Sequence, residues 1–106
     1  MAREDIHIFS EDEIIQRLEN LSGWNYNDNK ISKEFQFKDF MEALLFITKM
    51  SNFFEKNDHH PDIHIYYSKV LFELTRWDIG GKVTNIDFIT AEEIERVFKE
   101  FLEMNR

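Results

Sequence analysis

The chain has no cysteine, which excludes disulfides, thiolate metal sites and a thiol nucleophile. Basic charge is also short. Thirteen Lys and Arg are scattered among twenty-one Asp and Glu, giving a net charge of −8. Phosphate binding calls for a basic face, so this balance argues against nucleic acid as a direct partner and against an anionic membrane surface. No window approaches the roughly twenty apolar residues of a membrane span. The opening Met-Ala-Arg-Glu-Asp-Ile-His lacks the basic-then-apolar pattern of a signal peptide. The expectation is an acidic, cytoplasmic, globular protein.

Phenylalanine is abundant, with 11 residues in a chain of 106. That length is enough for one core and too short for two, so residues 1–106 are read as a single domain. A few large rings then supply much of the buried area. A core this aromatic in so short a chain leaves apolar surface over, which favours association into a homo-oligomer.

Ser10-Glu11-Asp12-Glu13 reads as a capping box, with Ile14, Ile15, Leu18 and Leu21 on one helical stripe and Gly23 as the stop near Ser22. Trp24-Asn25-Tyr26 is a short extended piece, and Asn27-Asp28-Asn29 is a run of turn formers. Ile31, Lys33, Phe35 and Phe37 alternate with polar residues as a strand. Asp39 with Glu42 caps the longest helix, which carries Phe40, Ala43, Leu44, Ile47, Met50 and Phe54, with Phe46 and Phe53 widening its apolar arc. Ile63 to Tyr67 and Val70 to Thr75 alternate as two strands joined by a tight turn near Ser68. Gly80-Gly81 breaks the chain. Either Thr84 with Asp87 or Thr90 with Glu93 caps a final helix bearing Ile94, Val97, Phe98, Phe101 and Leu102. The order α-β-β-α-β-β-α predicts an α+β fold, a four-stranded antiparallel sheet with helices packed on one face.

The chemistry concentrates at Glu55-Lys56-Asn57-Asp58-His59-His60-Pro61. Pro61 cannot continue a helix and biases His60 out of the helical region, so both histidines sit on a connection where polar groups can face a cleft. Histidine titrates nearest neutrality, and a pair of them is suited to proton transfer. A carboxylate one turn upstream, Glu55, can hold an imidazole's orientation. The plain alternatives stay open. The imidazoles could cap helix-end carbonyls. Glu55 could be a solvated charge, Tyr67 and Trp77 packed aromatics, and Asp87 only the capping partner of Thr84. A zinc site from His59, His60 and His64 fits by ligand type, but adjacent histidines lack the i, i+4 facing geometry and no thiolate helps.

With these motifs in place, the chain resembles the pterin-4a-carbinolamine dehydratase family from about Ser10 to Phe101. The similarity runs through Gly23-Trp24-Asn25, Phe35-Gln36-Phe37-Lys38-Asp39-Phe40, the Glu55–Pro61 block, Lys69-Val70 and Gly80-Gly81. The family signature is met in order and spacing by Glu55, His59, His60, Pro61, Tyr67, Trp77 and Asp87. Animal members carry histidine at the position of Trp77, and the pattern admits Trp there. The spacing from the glycines to Asp87 is one residue longer than in those members. Trp offers a flat ring and one N–H donor but no proton shuttle.

The resemblance implies a hydro-lyase that converts 4a-hydroxytetrahydropterin to quinonoid dihydropterin and water in tetrahydrobiopterin recycling. It implies acid–base work by His59 and His60 with Glu55 and Asp87. It also implies pterin contacts from His59, His60, Pro61, Tyr67 and the Arg76-Trp77-Asp78-Ile79 segment. No metal or organic cofactor is implied, and the expected assembly is a homodimer or homotetramer. The alternative reading, from a different class, is a non-catalytic pterin-binding or protein-interaction module, since animal members also act as dimerisation cofactors of a homeodomain transcription factor.

Overall fold

A computed structural model describes residues 6–105; the first five residues, part of the stretch read for a leader, and residue 106 lie outside them. The elements run α1 (Glu11–Leu18), β1 (Asn25–Asn27), β2 (Lys30–Gln36), α2 (Phe40–Lys56), β3 (Asp62–Tyr66), β4 (Lys69–Leu74), a 3-10 turn (Trp77–Ile79) and α3 (Asn85–Asn105). The four strands form one antiparallel sheet in the order β1-β2-β4-β3. This is the α+β architecture expected from the pattern. Among the described residues no helix is long and apolar enough to cross a membrane.

The sheet has one covered face because its strands alternate. Ile31 and Phe35 of β2 and Val70, Phe72 and Leu74 of β4 are buried, and pairing puts Ile31 opposite Leu74 and Phe35 opposite Val70. Directly paired residues share a face, so one period-two stripe per strand faces the helices. Phe35 and Phe46 of α2 are the hubs: Phe35 meets Trp24, Phe72 and Phe98 edge-on, and Phe46 meets Phe72, Phe98 and Phe101 likewise. Each buried ring contributes about 1.5–3 kcal/mol by area. The other flank of α2 leaves Phe40, Met41 and Leu45 exposed.

Caps decide where the helices begin. Ser10 Oγ accepts from the Glu13 amide while Glu13 accepts from the Ser10 amide, a complete capping box. Helix α1 then ends at Leu18, one turn earlier than Gly23 alone predicts, because residues 19–23 continue as turns rather than helix. For α3 the structure chooses Thr84 over Thr90. Asp87 accepts from the Thr84 amide at 2.8 Å, whereas Thr90 lies inside the helix with its hydroxyl on the Ile86 carbonyl. The segment before α1 fixes this start from outside. Phe9 N–H donates to Val83 O at 3.0 Å, and Asn85 N–H donates to His7 O at 3.0 Å.

Replacing Ser10 with Ala is expected to lower stability by about 1 kcal/mol in urea denaturation. The Ser10 backbone amide holds the Glu13 carboxyl below its ordinary value of 4.5. A carboxyl depressed in the folded state stabilises above that value and stops doing so as pH falls through the depressed one. The stability gap between wild type and Glu13→Ala is therefore open at pH 7 and closes in acid; a gap unchanged down to pH 3 would count against the capping role.

Candidate active site

Helix α2 ends in a Schellman motif. The His59 amide donates to Phe54 O at 3.1 Å and the Asp58 amide to Glu55 O at 3.2 Å, with Asp58 left-handed at φ 50°. This reversal, followed at once by Pro61, sends two adjacent histidines in opposite directions. His59 turns inward and is 6% exposed. His60 turns outward.

Each imidazole meets its own carboxylate. His59 Nε2 lies 2.5 Å from Asp87 Oδ1, and Asp87 is fully buried. The other oxygen of Asp87 takes the Thr84 amide at 2.8 Å and the Thr84 hydroxyl at 3.2 Å. Asp87 is thus the capping residue of α3 through one oxygen and the partner of His59 through the other. His60 Nε2 pairs with Glu55 Oε2 at the surface. Glu55, four residues before His59 in sequence, orients His60 and not His59.

A cleft of about 310 Å³ opens beside the pair, lined by Asp58, His59, His60, Thr75, Arg76, Trp77 and Asp78. Its far wall follows from the end of β4. Arg76 N–H donates to Lys82 O at 2.9 Å, and Arg76 O accepts from Gly81 at 2.9 Å. Gly80 and Gly81 at φ 82° and 76° let the chain double back. The 3-10 turn stands out from this closure and presents Trp77, 58% exposed, to the cleft. Buried Arg76 grips Asp78 with both arms of its fork, Nε to Oδ1 at 3.0 Å and Nη2 to Oδ2 at 2.8 Å.

The cleft gathers His59, His60, Arg76, Trp77 and Asp78 from two stretches of chain. Pro61, which is buried, and Ile79 both lie outside its lining. Tyr67 is not brought there. It sits at the tip of the β3–β4 hairpin, 75% exposed with φ 58°, the whole of β3 away, or roughly 17 Å at strand rise. The Arg76 backbone is also taken by the glycine turn, which leaves it no free edge for a ligand. Asp58 and Thr75 line the cleft without having been singled out in the sequence. A left-handed C-cap before Pro61 was the available signal for Asp58, and nothing local marks Thr75. His64, weighed as a third zinc ligand, instead has Nε2 on Glu73 Oε1 at 2.8 Å. A larger cleft, about 680 Å³, lies between α1 and the β1–β2 turn around Trp24 and Tyr26. Volume favours it, but no histidine lines it, and the smaller cleft is the candidate site because both imidazoles of the pair face it.

Comparison with known proteins gives the family. The family model described as pterin 4 alpha carbinolamine dehydratase matches residues 7–97. The chain belongs to the pterin-4-alpha-carbinolamine dehydratase family. It is thereby placed among hydro-lyases. A Sulfolobus acidocaldarius protein provisionally named pterin-4-alpha-carbinolamine dehydratase is 41% identical over 87 residues, covering 82% of this chain and 94% of that one. A Prochlorococcus marinus protein of the same provisional name is 37% identical over 94 residues, covering 89% and 97%. The crystal structure titled transcriptional coactivator/pterin dehydratase from Brucella melitensis superposes with a TM-score of 0.79 at 31% identity, covering 86% of this chain and 98% of that one.

In this pterin-dehydratase-family protein the two carboxylates paired with the histidines should differ sharply on deletion. Asp87→Ala strands a buried imidazole and removes the α3 cap, and should cost at least about 3 kcal/mol. Glu55→Ala breaks an exposed pair and should cost below about 1 kcal/mol. Equal losses in urea denaturation would contradict the burial assigned to the two pairs.

Proposed function

We propose that the protein dehydrates a 4a-hydroxytetrahydropterin to the quinonoid dihydropterin, in tetrahydrobiopterin recycling, with His59 and His60 as its proton-transfer groups. The observation that carries the reading is the pair of adjacent imidazoles, each fixed by a separate carboxylate, on one cleft faced by an exposed indole. The cleft's volume falls at the small end of ligand sites, which suits a bicyclic ring.

The partners support a division of roles. A neutral His59 that donates its Nε2–H to Asp87 keeps a lone pair on Nδ1, and this nitrogen serves as the base for N5–H. His60, at the solvent edge on Glu55, protonates the 4a-hydroxyl and is refilled from water. As N5 loses its proton, its electron pair forms the N5=C4a bond, the C4a–O bond breaks, and water leaves. One proton is taken and one is given, with no change of oxidation state. Positioned transfers of this kind are each worth roughly 10²–10⁴-fold. Trp77 carries no exchangeable base and serves as a stacking wall for the flat pterin.

A second reading is a pterin-binding or protein-interaction module without turnover. It draws on Trp77 standing where a titratable residue would help, on the exposed Phe40, Met41 and Leu45 of α2, and on the coactivator half of the Brucella protein's title.

The test is a coupled dehydration assay with the spontaneous reaction subtracted. His60→Ala should lower kcat by roughly 10²–10⁴-fold while its urea midpoint stays close to wild type, because the side chain is exposed. An unchanged rate would sink the two-histidine mechanism, and absence of wild-type acceleration with retained pterin binding would favour the second reading. Trp77→His should keep or raise kcat if the indole only stacks. A large loss would give Trp77 a role that imidazole cannot fill.

A further inference from the structure

We propose that Lys30 is a positioning residue for the cleft: its ammonium, anchored on Glu73, clamps the Trp77 indole in the orientation a flat substrate stacks on. Lys30 Nζ stands 5.2 Å from the centroid of the Trp77 ring, inside the roughly 6 Å within which a cation is held by an aromatic face. The same Nζ is 3.7 Å from Glu73 Oε1, and that oxygen also meets His64 Nε2 at 2.8 Å. The side chains of Lys30 and Glu73 are 25% and 23% exposed, so the anchor is far better packed than the ring it holds.

The need for a clamp follows from where Trp77 sits. It opens a three-residue 3-10 turn and leaves more than half of its surface in water, so packing alone does little to choose its rotamer. Lys30 is not among the residues lining the cleft, and its cation acts on the indole from outside while the cleft stays open to a ligand. The sheet delivers it there. Lys30 is the first residue of β2, and the β1–β2 turn before it is tied to the end of β4 by the Thr75 hydroxyl, which donates to Asn29 O at 2.8 Å. A residue 47 positions away in sequence is thereby set against the pocket wall.

This inference rests on the reading of Trp77 as the stacking wall, but the clamp itself is measurable without substrate. The chain has two tryptophans, and Trp24 is buried with Nε1 on Glu95 at 2.8 Å. Its indole ¹⁵N signal therefore monitors the fold, and Trp77→Phe assigns the other signal. Lys30→Met should lower the heteronuclear NOE of the Trp77 indole toward that of a mobile side chain and leave that of Trp24 unchanged; Lys30→Arg, which keeps a cation, should restore it. In the dehydration assay Lys30→Met should raise KM about two- to fivefold, the scale of one exposed cation–ring contact, with kcat within about twofold, and Lys30→Arg should recover KM. An ordered Trp77 indole in Lys30→Met would overturn the proposal, as would a fall in kcat at constant KM. A loosened indole in a protein whose wild type shows no turnover would uphold the clamp and reject the enzymatic reading instead.

Discussion

The site depends on one buried contact, His59 Nε2 against Asp87 Oδ1. It joins the C-terminal end of α2 to the first turn of α3, and it costs the fold a carboxylate with no access to water. Such a group is tolerated only when its acceptor sites are filled. Asp87 meets that condition by dividing its oxygens, one to the imidazole and one to the Thr84 amide and hydroxyl. The capped first turn of α3 and the inward-turned His59 meet at this one carboxylate, next to the cleft that His59 lines.

The two histidines show what backbone geometry adds to residue identity. They are adjacent and chemically alike. The Schellman reversal at Asp58 and the restriction imposed by Pro61 place one in the interior and one in water. In the proposed mechanism this asymmetry lets the exposed group exchange protons with solvent while the buried one keeps its orientation. The phenylalanine core around Phe35 and Phe46 holds this corner still: it locks α2 and α3 onto one sheet face, leaving the opposite face and the strand ends to carry polar groups. One such group is Lys30, whose chain of contacts through Glu73 to His64 runs across the uncovered face.

Much of the fold is legible in the pattern of residues because it rests on local rules. Period-two stripes give β2, β3 and β4, the Ser10 and Asp39 caps give the starts of α1 and α2, and Pro61 with the paired glycines marks the breaks. Boundaries governed by competition are less legible. Thr84 and Thr90 are equally good caps by composition, and the pairing of Thr84–Asn85 with the segment at His7–Phe9 decides between them. The site is legible to the same depth. Spacing singles out His59, His60, Trp77 and Asp87, but Tyr67 shares their signature and sits at a hairpin tip away from the cleft. Thr75 and Lys30 carry no local mark at all.

The amino-acid sequence alone determined the α+β order, the aromatic core, the exclusion of thiol chemistry and the grouping of imidazoles with carboxylates, because each follows from residue type and short-range spacing. Tertiary structure decided which carboxylate serves which histidine. Glu55 is nearer His59 by helical spacing, yet it takes His60, while Asp87 reaches His59 from 28 residues away. Side chains choose partners by burial and direction in space, and those are set only once α2 and α3 are packed together on the sheet.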